Sequence, residues 1–115
     1  MNYEKIEEKI KKWTSGKDYL HSGLTIQKMS KEIGINRTYL SHFINDTYQT
    51  NFNGWVNGLR IEEAKERMIN NPDLSLAEVA EQVGFADLAH FSKQFKAKEG
   101  QSPSTWRKEI RKAIV

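Results

Sequence analysis

The chain has no cysteine, only two prolines and no long apolar run. Without cysteine there is no disulfide framework, no thiolate metal site and no cysteine nucleophile. No stretch approaches the roughly 18 apolar residues that a bilayer-spanning helix needs. The N-terminus, MNYEKIEEKIKKW, mixes charges where a signal peptide would be apolar. These absences predict a soluble, cytoplasmic chain with no membrane contact. Strand-like alternation of β-branched and aromatic residues is also missing, so no sheet is expected. Histidine is scarce, and His21, His42 and His90 fall on three separate segments. The neighbours Ser41–His42 and His90–Ser92 do not make a nucleophile–base pair with an orienting acid. There is no glycine-rich phosphate loop and no metal-ligand spacing. The sequence therefore predicts no enzyme, no cofactor and no metal.

What is present is ordinary in amount and uneven in placement. A chain of 115 residues has room for one compact domain, or two very small ones. With 37% hydrophobic and 29% charged residues it should fold. The net charge of +3 hides a segregation. Residues 1–60 carry nine Lys/Arg against six Asp/Glu, residues 61–91 two against seven, and residues 92–115 seven against two. Such a polarised surface suits an anionic partner on one side.

Helical signals fill the chain. Ile6, Ile10 and Trp13 mark one apolar face of a first helix that ends near TSGKD. Thr25 caps IQKMSKEI up to Gly34, and Asn36 caps RTYLSHFIND. A longer helix over 53–69 carries Trp55, Leu59, Ala64 and Met68 and stops at NNPD. Ser75 caps LAEVAEQV up to Gly84, LAHFSKQFKAKE runs to Gly100, and Ser102–Pro103 opens STWRKEIRKAI. The expectation is an all-α chain of about seven helices.

The two halves repeat. TIQKMSKEIGI (25–35) matches SLAEVAEQVGF (75–85) at an offset of 50. Beyond the turn the offset becomes 51, with Leu40 on Phe91, Ile44 on Phe95, Trp55 on Trp106 and Arg60 on Arg111. Two copies are too few for a self-supporting solenoid. A helix, a glycine turn and a second helix is instead the layout of a helix-turn-helix. Ser30 and Ala80 are small where the second helix must cross closely. Gly34 and Gly84 supply a positive φ without steric cost, and Ile35 and Phe85 plug the corner. The second helix then buries one stripe, Leu40/Ile44 or Phe91/Phe95, and leaves its other face free. That face shows Arg37, Thr38, Ser41, His42 and Asn45 in the first unit. In the second it shows Asp87, Ala89, Ser92, Lys93 and Lys96. Such a helix fits the major groove of double-stranded DNA with its N-terminal half on base edges, although any one of these residues could equally be solvated helix surface.

At this point the sequence resembles the DNA-binding domain of the AraC/XylS family of bacterial transcription regulators. LAEVAEQVGFADLAHFSKQFKAKEGQSPSTWR (76–107) carries the likeness, with Gly-Phe, two phenylalanines four apart, Gly-x-Ser-Pro and an aromatic-Arg pair. MSKEIGINRTYLSHFI and RIEEAKERM follow the looser first-unit pattern, so the likeness covers roughly residues 20 to 110. The resemblance implies two homeodomain-like helix-turn-helix subdomains, 1–52 and 71–115, joined by a connecting helix over 53–70. It implies two recognition helices in successive major grooves about one helical turn, roughly 34 Å, apart, with sequence-specific binding in transcription regulation. RNA polymerase is then a second candidate partner, and a monomer is expected for the isolated domain. Phosphate contacts are expected from Arg37, Lys93, Lys96, Arg107 and Lys108 and from the helix N-termini behind Thr25, Ser75 and Ser102. Arg37 and His42, and Ser92 and Lys93, are the leading direct readers. Ala89, beside Leu88, can touch a thymine methyl group but cannot hydrogen-bond.

Three departures stand out. Gln49 occupies the position of Gly100, Gly54 and Gly58 fall inside the connecting helix, and together they predict a looser first subdomain. The acidic stretch with Glu62, Glu63, Glu66, Glu78 and Glu81 is either a solvated face turned from DNA or a partner surface. The latter would make the chain a helical protein-interaction module with a degenerate DNA-binding fold. NYEKIEEKIKKW reads as a helix arriving from an upstream segment, as in the C-terminal piece of a longer regulator.

Overall fold

The computed structural model describes residues 2–114, and Met1 and Val115, the outer ends of the two expected subdomains, lie outside them. Among the described residues there are seven α-helices, one 3-10 turn and no strand. The chain divides into two compact units, Met1–Asn57 and Gly58–Val115.

The first unit holds α1 (Tyr3–Ser15), the 3-10 turn Asp18–Leu20, α2 (Ile26–Ile33), α3 (Arg37–Tyr48) and the start of α4 (Phe52–Asn70). Asn2 caps α1 by accepting from the Glu4 amide at 2.8 Å. Ile6, Ile10 and Trp13 put the apolar face of α1 onto α2 and α3. Met29, Ile35, Leu40, Phe43, Ile44, Trp55 and Val56 complete this core. Trp55 stacks on Trp13 at 5.7 Å between ring centroids and on Tyr48 at 5.3 Å. The buried stripe of α3 is wider than its sequence period suggests, because Phe43 is buried beside Leu40 and Ile44. Tyr3 of α1 meets Phe43 edge-on at 5.1 Å, so a third helix covers that flank.

The second unit holds the rest of α4, then α5 (Leu76–Gln82), α6 (Leu88–Glu99) and α7 (Pro103–Ile114). Its core is Ile61, Ala64, Met68, Val79, Ala80, Val83, Phe85, Phe91, Phe95 and Trp106. Phe91 packs on Phe95 at 5.8 Å and Phe95 on Trp106 at 5.7 Å. α4 differs in detail from its sequence reading. Leu59 is only half-buried, whereas Val56, Ile61, Arg60 and Glu63 are buried. Asn51 caps α4 through its side chain, which accepts from the Gly54 amide at 2.8 Å.

Candidate nucleic-acid interface

Each unit builds its outward helix by the same local chemistry. Thr25 Oγ1 accepts from the Lys28 amide at 3.2 Å, and Ser75 Oγ accepts from the Glu78 amide at 3.1 Å. Both leading helices thus start on a hydroxyl cap that satisfies an otherwise orphaned donor. Both end at a left-handed glycine, Gly34 with φ 67° and Gly84 with φ 94°. The next amide then reaches back five residues, Ile35 to the Ser30 carbonyl at 3.1 Å and Phe85 to the Ala80 carbonyl at 3.0 Å. This is the six-to-one bond of a Schellman stop. Ile35 and Phe85, 2% and 4% exposed, fill the corner behind it.

One clamp has no counterpart in the second unit. The Ser30 hydroxyl donates to the Ile35 carbonyl, which Ala80 cannot do for Phe85. Arg60 instead stands over the Phe85 ring at 5.8 Å, and burial lowers its guanidinium pKa.

The outward helices begin on side-chain caps. Asn36 Oδ1 accepts from the Thr38 amide at 2.8 Å, and Asp87 Oδ1 accepts from the His90 amide at 2.7 Å. Along α3, Arg37, Thr38, His42 and Asn45 are exposed and Ser41 is half-buried. Along α6, Ala89, Lys93 and Lys96 are exposed, Ser92 is half-buried, and Leu88 stands 41% exposed. Thr38, His42 and Asn45 thus share the outward side of α3, and Ala89, Lys93 and Lys96 that of α6, with Arg37 at the edge of the first turn of α3 and Asp87 before α6 as its cap. Their chemistry is uneven. The Asp87 carboxylate is engaged as a cap, and the Asn45 amide donates to the Ser41 carbonyl of its own helix at 3.0 Å. Tyr39, 52% exposed on the flank of α3, sits next to buried Leu40, and no sequence pattern marks it as a contact residue.

The expected phosphate contacts differ in their surroundings. Lys93, Lys96 and Lys108 are exposed. Thr25, Ser75 and Ser102 cap their helices, Ser102 by accepting from the Thr105 amide at 3.2 Å, so the positive ends of α2, α5 and α7 are ordered. Arg37 borders a cleft of about 340 Å³ where the N-termini of α2, α3 and α4 meet at Thr25, Arg37 and Asn51. Arg107 is half-buried, and its Nη1 donates to the Leu74 carbonyl at 2.6 Å. Arg111 likewise donates to the Pro72 carbonyl. These two arginines tie α7 to the turn before α5, a role that charge counting alone did not show.

The acidic stretch is partly neutralised within its own unit. Lys98 Nζ lies 2.5 Å from Glu62 Oε1, Lys65 bridges to Glu99 at 3.0 Å, and Arg67 Nε donates to Glu63 at 2.9 Å. The Lys98 hydrogen bond is the largest influence holding the Glu62 carboxyl below its usual pKa. Glu66, Glu78 and Glu81 stay exposed. Among the described residues no helix is long and apolar enough to cross a membrane.

Comparison with known proteins agrees with this geometry. The family model described as "Helix-turn-helix domain" matches residues 29–109. The Msm operon regulatory protein of Streptococcus mutans is 34% identical over 89 residues, covering 77% of this chain and 32% of that protein. The chain thus spans about a third of the length of such relatives. The C-terminal domain of the two-component response regulator yesN from Fusobacterium nucleatum superposes with a TM-score of 0.76 at 27% identity, covering 89% of this chain and 97% of that one. The DNA-binding domain of AdpA, solved in complex with a target DNA, gives 0.76 at 20% identity over 93% of each chain. At that identity the likeness speaks for the fold alone. With repeat, turn chemistry and family match in agreement, the chain belongs to the AraC-type helix-turn-helix family of transcription regulators.

Proposed function

We infer that this chain is the sequence-specific, double-stranded-DNA-binding part of a bacterial transcription regulator, with α3 and α6 entering successive major grooves. The observation that supports it best is the recurrence of one device. Cap, left-handed glycine and corner plug all repeat, and each time an outward helix with an accessible polar or cationic side follows. Arg37, Thr38, Ser41, His42 and Asn45 are the proposed base-facing residues of the first unit. Ala89, Ser92 and Lys93 are those of the second, with Asp87 shaping the helix start as its cap. Arg37, Lys93, Lys96 and Lys108, and the capped N-termini at Thr25, Ser75 and Ser102, are proposed to hold phosphates. Arg107 contributes charge from a position already fixed by Leu74. The isolated domain acts as a monomer in the bacterial cytoplasm, without catalysis, and RNA polymerase is the proposed protein partner.

Selection from a random pool of duplexes, with binding repeated across a salt series, tests this reading. Enrichment of two short motifs about one helical turn apart is expected, with affinity falling steeply as salt rises. His42→Ala should relax preference at one base pair, at a cost of roughly 1–3 kcal/mol. Lys96→Ala should weaken all duplexes alike and flatten the salt slope. Binding no stronger to the selected duplexes than to any polyanion would overturn sequence-specific recognition and bring the interaction-module reading forward.

A further inference from the structure

The first aligned positions of α3 and α6 carry different chemistries. The offset of 51 places Arg37 on Leu88, Thr38 on Ala89, Ser41 on Ser92, His42 on Lys93 and Asn45 on Lys96. Where the first unit offers a guanidinium and a hydroxyl at the start of its outward helix, the second offers only hydrocarbon. Ala89 and Lys93 lie two residues either side of the fully buried Phe91, so each points about 160° away from it round the helix. Ala89 thus shares the outward side with Lys93, one turn before it. Leu88, three residues before Phe91 and so only about 60° from it round the helix, stands 41% exposed at the edge of the buried side.

The nearby polar groups do not reach past this patch. The Asp87 carboxylate is held by the His90 amide at 2.7 Å. The His90 ring meets Phe85 edge-on at 5.2 Å, on the flank. Exposed hydrocarbon beside lysines, on a helix that meets DNA, has one complementary feature in the major groove. That feature is the 5-methyl group of thymine.

We propose that α6 reads thymine methyl groups through Ala89, with Leu88 extending the apolar contact at its edge, so that the second unit recognises A·T pairs by hydrophobic contact while Lys93 and Lys96 hold the strand. This rests on the DNA-binding reading and deepens it. The domain is then a two-headed reader of mixed chemistry, hydrogen-bonding at α3 and methyl-sensing at α6. Placing one methyl group against hydrocarbon corresponds to about a fourfold change in affinity.

The test replaces each thymine of a selected duplex, one at a time, with deoxyuridine, which keeps every hydrogen bond and removes only the methyl group. One or two positions are expected to lose about fourfold in affinity for the unaltered protein. That loss should disappear in Ala89→Gly and in Leu88→Ser, and persist in His42→Ala. Putting 5-methylcytosine opposite guanine at the sensitive position should recover part of the affinity lost with cytosine. Tight, salt-dependent binding with no deoxyuridine-sensitive position overturns methyl reading and leaves DNA recognition standing. So does a deoxyuridine penalty unchanged in both variants, or an enriched second motif without A·T pairs. Absence of any salt-sensitive duplex binding overturns both. The scan on the unaltered protein stands even if one variant folds poorly.

Discussion

Gln49 and Gly100 terminate α3 and α6 in the same way, and exchanging their residue types has a predictable sign. Both are left-handed, Gln49 at φ 56° and ψ 35°, Gly100 at φ 80° and ψ 0°. In each, the backbone amide donates to the residue four before it, Asn45 or Lys96, at 3.1 and 2.8 Å. A side chain in the left-handed region crowds the neighbouring carbonyl and costs roughly 1–2 kcal/mol. Gln49 offsets part of this, since its Nε2 donates to the Asp46 carbonyl at 2.7 Å, an exposed bond with a net value of about 0.5–1 kcal/mol. Glycine also gives the unfolded chain more freedom to lose. Gln49→Gly should therefore stabilise the first unit by only about 0.5 kcal/mol. Gly100→Gln meets no atom within 4 Å of a new Cβ, so strain alone acts there and the loss should be roughly 1 kcal/mol. For a cooperative unit of this size, 1 kcal/mol moves Tm by about 4–8 °C. Thermal unfolding gives the total, and native-state hydrogen exchange assigns it to a unit. A Gln49→Gly variant less stable than its parent, or a Gly100→Gln variant unchanged, would refute the left-handed-strain argument. The same exchange experiment checks the expected looseness of the first unit, and uniform protection across α2, α3, α5 and α6 would count against it.

Three further outcomes are expected. Gly58→Ala should raise stability by up to about 1 kcal/mol, because a Cβ there meets nothing within 4 Å inside a helix. Gly54→Ala should gain nothing, because its Cβ would collide with the Thr50 hydroxyl; equal Tm shifts for the two would contradict this. Asp87→Ala should cost about 1 kcal/mol of stability through loss of the cap, and Asp87→Asn should cost little, since asparagine caps as well. If Asp87 reads a base instead, both changes will alter sequence preference while Tm holds. The Glu62 carboxyl has a lowered folded-state pKa, so its stabilising effect is complete above the unfolded value near 4.5 and fades as pH falls through the folded value. Half-exposed as the pair is, the effect is small. Tm profiles of the parent and Glu62→Gln should accordingly converge on the acid side of about pH 4.5, and a constant gap down to pH 3 would exclude the Lys98 contact as its origin.

The helices were legible because their ends are written in residues with one local use. Thr25, Asn36, Ser75 and Ser102 occur where a side-chain oxygen must meet an amide, and each does so. Gly34, Gly84 and Gly100 fall where φ must be positive, and Gln49 takes the same conformation despite its side chain. Features set by contacts between elements were less legible. The 3-10 turn Asp18–Leu20 follows Lys17, a second non-glycine residue at positive φ of 58°, and no local pattern announces it. The burial of Phe43 depends on Tyr3, forty residues away. Arg60, over the Phe85 ring, and Glu63, accepting from Arg67, are buried, and nothing in their charge or local pattern announces it.

The candidate interface was legible as a face but not as a set of roles, and the reason is geometric. A polar side chain at the start of a helix can turn back to its own backbone or outward to a ligand, and composition is the same in both cases. Asp87 turns back, to the His90 amide, and Asn45 donates to the Ser41 carbonyl, whereas Lys93 and Lys96 stand exposed. Arg107 shows the same ambiguity for charge, since a guanidinium on an amphipathic helix can serve a phosphate or a neighbouring carbonyl, and here it holds Leu74. Hydrocarbon is less ambiguous. Leu88 and Ala89 carry no side-chain group that could turn back to the backbone, and their exposure in the first turn of α6, one turn before Lys93 in the case of Ala89, makes the second unit's specificity the sharper test of how this fold divides recognition between its halves.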